Sequence, residues 1–187
     1  MKIRLHDRPV NTAWVRALWL VIALLLLAGG IFSVTRHEEN LVSASRILGG
    51  IMFAAGFLNF SVCEGKNRKL HGAHWLMADG LVAVFLSLFP LFNQMTQPLV
   101  IPFFFGVWEL VSGILKIMDS AELKAEKLRC WMGFAFIGTV ELLSGGMSMI
   151  KPIDDLVGIN KVIAIIFFVQ SAGFFLKALM AKDIITE

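Results

Sequence analysis

The chain has 187 residues, of which 57% are hydrophobic and 17% charged, with a mean hydropathy of +0.76. A soluble domain is about 45–50% apolar and about 25% charged, and a chain this short has too little interior to hide the excess, so a disordered chain, a collagen-like chain and an ordinary water-soluble enzyme are excluded. The formal net charge of +3 is small and scattered, which suits basic loops on one side of a membrane and gives no nucleic-acid surface.

A helix crossing the hydrocarbon needs about 20 mostly apolar residues. Six stretches qualify in chain order: Ala17–Val34, Ile47–Cys63, Trp75–Phe92, Leu99–Met118, Cys130–Ile150 and Val162–Ala181. The runs are continuous rather than alternating, so helices are expected and not barrel strands. The predicted fold is all-α: a polytopic membrane protein of six transmembrane helices over residues 17–181, after a segment 1–16 and before a tail 182–187. The first span has a basic start (Lys2, Arg4, Arg8, Arg16) but no small-x-small cleavage site after it, and is read as a retained helix.

Orientation follows from the flanking Lys and Arg. The amino-terminal segment, the connection with Lys66, Arg68 and Lys69, the connection with Lys124, Lys127 and Arg129, and the tail with Lys182 are the basic ones. Both termini are therefore expected in the cytoplasm. Short connections predict that sequential helices lie antiparallel and adjacent.

The chain repeats itself. Trp19, Trp75 and Trp131 recur every 56 residues, each near the start of an odd span, where Trp serves as an interfacial anchor. Gly49-x6-Gly56 in the second span matches Gly106-x6-Gly113 in the fourth, and Ile166-x6-Gly173 follows in the sixth. Glycines of this kind let helices pack closely in lipid. The expected unit is a helical hairpin present three times, over about 17–63, 75–118 and 130–181.

The second unit runs Trp75-Leu-Met-Ala-Asp79-Gly80, an apolar run to Phe89-Pro90, then Gly106-Val-Trp-Glu-Leu-Val-Ser-Gly113. This resembles the short-repeat family of HdeD-like acid-resistance membrane proteins, and Trp131 to Lys151-Pro152 and Gly173 is similar. The first unit departs, with Thr35-Arg36-His37-Glu38-Glu39 in place of a turn proline. The resemblance covers roughly Ala13 to Lys182 and rests on motifs of Gly, Trp and Pro. It implies a bacterial inner-membrane protein linked to acid or envelope stress, without enzymatic activity, catalytic residues or a cofactor. The bilayer is the expected partner, with a second copy or other membrane proteins beyond it.

Ionisable groups at membrane depth are costly and mark functional candidates. Asp79, Glu109 and Glu141 lie inside spans three, four and five. Glu109 and Glu141, at similar depth on consecutive helices, are expected to face each other and either share a proton or serve as packing glue. With Asp79 they also frame the alternative of a small channel or transporter for protons or a small solute. Asn59 and Gln170, with Ser61, Ser112, Thr139, Ser144 and Ser171, are expected to bond between helices. Lys116, Lys161 and Lys177 are expected to snorkel to the interface, with Asp119 as another partner for Lys116. His37 is a candidate acid sensor, and His6, His71 and His74 also lie outside the spans. Cys63 and Cys130 fit neither a disulfide framework nor a metal spacing, and no metal site is expected. The mixed charges from Asp119 to Arg129 predict a helical extension.

Overall fold

The computed structural model describes residues 12–35, 41–64, 71–92, 100–150 and 157–184, and all of its regular structure is helical. Six long helices follow one another: α1 Thr12–Thr35, α2 Leu41–Glu64, α3 Ala73–Phe92, α4 Val100–Ala125, α5 Trp131–Ser148 and α6 Ile159–Leu179; a short α7, Ala181–Ile184, closes the described chain. Five of the six are long and apolar enough to cross a membrane. The chain is thus a multi-pass membrane protein by the length and composition of its helices. The exception is α5, whose 18 residues include Glu141, four glycines and two serines.

The helices overrun the apolar stretches. α1 begins at Thr12, α2 at Leu41, and α4 continues to Ala125 through the charged segment after Asp119. Polar end turns stay helical outside the hydrocarbon, which a reading of apolar runs does not register. Large apolar side chains such as Leu24, Phe85, Phe92, Phe136 and Leu143 stand on the outside of the bundle, where a bilayer solvates them.

The closest helix pairs are α4 with α5, α2 with α3, and α1 with α6. Contacts within the expected hairpins, α1 with α2, α3 with α4 and α5 with α6, are sparser. Two of the three closest pairs, α2 with α3 and α4 with α5, are sequential, as short connections predict, but they fall between the expected hairpins rather than within them, where small residues meet. A Cβ built on Gly56 of α2 would lie 2.9 Å from the Gly80 carbonyl oxygen of α3. One on Gly113 of α4 would lie 2.6 Å from the Leu142 nitrogen and 2.7 Å from the Gly138 oxygen of α5. Backbones this close gain dispersion contact along their whole length. Between α1 and α6 the glycines receive rings instead: Gly29 meets Phe167 and Gly30 meets Phe168. That last pair joins the first and last long helices and closes the bundle into a ring.

Candidate functional site

The polar residues of the bundle gather at its centre. Among the described residues the buried ionisable side chains are Asp79, Glu109, Lys116, Asp119, Glu141 and Lys177. They come from four helices, and α4 supplies three of them. Glu109, Ser112, Lys116 and Asp119 recur at helical spacing, so they form one stripe down the inner face of α4.

Lys116 and Lys177 do not snorkel. Each is only 2% exposed and points inward. The Lys116 ammonium donates to Glu141 Oε1 at 2.5 Å and Oε2 at 2.6 Å, to Ser112 Oγ at 2.9 Å and to Gln170 Oε1 at 3.2 Å. An ammonium has three protons, and this arrangement gives each a direction. Lys177 Nζ lies 3.4 Å from Asp79 Oδ2, which also accepts from Asn59 Nδ2 at 3.3 Å. Asn59 donates to the Leu76 carbonyl too, at 3.2 Å. The Phe174 ring sits near both ammoniums, 4.5 Å from Lys177 Nζ and 5.7 Å from Lys116 Nζ. Gly173 leaves room for the first pair, because a Cβ there would stand 2.8 Å from Glu141 Oε1. It makes space for a carboxylate, whereas Gly49, Gly56, Gly106 and Gly113 admit a neighbouring helix.

Glu109 is placed differently. It is fully buried, accepts from Ser144 Oγ at 3.0 Å through Oε1, and has no hydrogen-bond partner at Oε2. Glu141 and Lys116 act on it electrostatically. The expected direct carboxylate pair is thus replaced by a Lys116–Glu141 ion pair with Glu109 beside it. Asp119, rather than pairing with Lys116, lies against the turn at Gly72, a position with φ +68° that suits glycine. Asp79 Oδ1, Asp119 Oδ1 and Gln170 Nε2 are buried without partners.

A crevice lined by Trp75, Leu76, Asp79, Leu115, Lys116, Asp119 and Lys177 holds about 160 Å³ of empty space, none of it wide enough for a water molecule. Trp75 roofs it and donates through Nε1 to Glu122 Oε2 at 2.8 Å. His74 Nε2 lies 3.2 Å from the same oxygen, and His71 Nδ1 pairs with Glu126. The two histidines thus tie the start of α3 to the end of α4. No group of three metal-ligating side chains occurs among the described residues.

Other expected positions divide. Trp75 and Trp131 are part-buried, and Lys124 stands 4.7 Å over the Trp131 ring. Trp19 is fully buried in the core, so it is no headgroup anchor; although it shares the repeat register of Trp75 and Trp131, its side of α1 faces inward. Ser171 bonds across helices to the Ala23 carbonyl at 2.7 Å, but Ser61 and Thr139 bond within their own helices, to Phe57 and Ala135, because both face outward. Lys161 is exposed and Cys130 is buried. His6, His37, Glu38, Glu39, Lys151 and Pro152 lie outside the described residues, as does the Cys63 side chain. Lys116 and Lys177, unlike Lys161, stand where the sequence alone does not place them. Their spacing carried the signal: Ser112 to Lys116 and Gln170 to Lys177 are one and two turns along polar stripes. Compared with family models, with curated proteins and with solved structures, the chain has no match.

Proposed function

We propose that this chain is a six-span protein of the HdeD-like type, in a bacterial inner membrane with both termini in the cytoplasm, that contributes to acid or envelope stress tolerance without catalysing a reaction. The observation that carries the reading is the sealed charge network: Glu109 and Glu141 are fully buried, and the crevice near them is too narrow for water. Buried intramembrane carboxylates beside a crevice too narrow for water suit a protein that responds to or withstands protons more than one that passes solutes. The three-repeat reading has its own support. The tight pairs α2 with α3, α4 with α5 and α6 with α1 follow one rule, each even helix against the next odd one round the ring. In that reading α5 also spans the membrane, as the fifth of six, its Glu141 neutralised by Lys116.

Acid-challenge survival of a strain lacking the gene tests the role. The deletion is expected to lower survival, and the wild-type gene to restore it. A variant with Asp79→Asn, Glu109→Gln and Glu141→Gln is expected to restore less. Equal survival of deletion and parent under both acid and envelope stress rejects the proposal.

A further inference from the structure

The network lies toward one end of the bundle and stops short of the other. Odd helices start and even helices finish at the end that carries Trp75, Glu122 and Ile184. From that end the buried ionisable groups run in order: Asp119 under the Gly72 turn, Asp79 with Lys177, Lys116 with Glu141, and Glu109 with Ser144. Along α4 the distance from Asp119 to Glu109 is about 15 Å, at about 1.5 Å per residue, or about half of a hydrocarbon layer. Beyond Glu109 the chemistry changes. Phe167 packs edge-on against Phe105 at 5.3 Å and against Trp108 at 5.8 Å, and Ile101 and Ile163 fill the space behind them. The buried hydroxyls on that side donate to backbone carbonyls, Ser148 to Gly145 and Ser33 to Asn160. No described ionisable side chain is buried there.

The buried acids, Asp79, Glu109, Asp119 and Glu141, outnumber the buried bases, Lys116 and Lys177, four to two. Uncompensated negative charge in a low-dielectric interior requires a cation. Three of the four acids keep a buried oxygen without a partner: Asp79 Oδ1, Glu109 Oε2 and Asp119 Oδ1. The crevice beside Asp79 and Asp119 is too narrow for water or a hydrated metal ion, and the proton is the cation that fits there. We propose that this chain of carboxylates is a dead-end proton-binding site, loaded past Trp75 from the end bearing the α2–α3 and α4–α5 connections and sealed from the opposite side by Phe105, Trp108 and Phe167.

Each loading step adds one proton to a carboxylate oxygen and raises the charge of the network by one. The titratable and charged groups that face the site are Asp79 on α3, Glu109, Lys116, Asp119 and Glu122 on α4, Glu141 on α5 and Lys177 on α6, with His71 and His74 at the roof; α2 contributes the neutral Asn59. The proposal is separable from the stress role, because a protein dispensable in acid would load in the same one-sided way.

The test uses the full chain in vesicles whose orientation is set by an affinity tag. A pH jump is applied to one face at a time, and the carboxylic-acid carbonyl band is read by infrared difference spectroscopy. A dye trapped in the lumen follows net proton flux. The expected result is a band change for jumps on the crevice side, at least tenfold smaller from the other side, with flux no greater than in protein-free vesicles. Glu109→Gln and Asp119→Asn are each expected to remove part of the band. Trp75→Ala is expected to speed loading at least threefold and leaves every carboxylate in place, so it serves where the acid variants do not fold. Equal band changes from both faces, no band change from either, or sustained flux through wild-type protein would each overturn the proposal.

Discussion

The interface of α4 with α5 and that of α1 with α6 hold the same bundle together by different chemistry. Between α1 and α6 the contacts are neutral: Ser171 to the Ala23 carbonyl, Ser33 to the Asn160 carbonyl, and phenyl rings over Gly29 and Gly30. Between α4 and α5 the backbones touch through Gly113, Gly138 and Gly145, and Lys116 pairs with Glu141. The first interface shows that helices in this protein pack tightly without ionisable groups. The charges of the second are therefore not a requirement of packing. Their cost in lipid points to a role.

The comparison is broken most severely by removing one charge. Lys116→Met leaves Glu141 buried without its ammonium, and a broken buried pair costs about 3–5 kcal/mol. Thermal unfolding in detergent should show this as the largest loss of any single change discussed here. Next comes Gly113→Ala. Its new Cβ would meet the α5 backbone at 2.6 Å, which cannot yield as a side chain can. Overpacking of this kind costs about 1–3 kcal/mol, and the same unfolding assay reads it. Ser171→Ala tests the neutral interface. It removes one hydrogen bond between helices, worth about 0.6 kcal/mol in a membrane, and a small drop in Tm is expected. An effect of opposite sign belongs to Gly146→Ala. Nothing lies within 4 Å of a Cβ there, so the gain in helix propensity, up to about 1 kcal/mol, should leave Tm unchanged or slightly raised. A loss there as large as at Gly113 would mean that α5 packs by another face.

Much of this contrast is written in the sequence, but not all of it. Apolar runs located the helices, because hydrocarbon imposes a length on them. The glycine spacing at Gly49, Gly56, Gly106 and Gly113 marked the close-packing faces. Which helix each face meets was not legible: the hairpin repeat suggested partners within each unit, while the small residues pair α2 with α3 and α4 with α5 across unit boundaries. Asp79, Glu109 and Glu141 were legible as intramembrane acids, since Glu109 and Glu141 lie near the middle of an apolar stretch and Asp79 about one turn inside one. Lys116 and Lys177 were not, because each stands near the end of its apolar stretch, and only the placement of Glu141 on α5 and Asp79 on α3 turns them inward. Trp19 misled for a related reason. Its position in the repeat matches Trp75 and Trp131, but its side of α1 faces the core.

The most direct test of the account is the double-mutant cycle between Lys116 and Glu141, measured as unfolding free energy of the purified chain in bicelles. If the two side chains form a buried pair, Lys116→Met and Glu141→Leu should each be strongly destabilising, and the double variant should lose about 2–3 kcal/mol less than the sum of the two single losses. Effects that add to within about 0.5 kcal/mol would contradict a charge pair at the centre of this bundle.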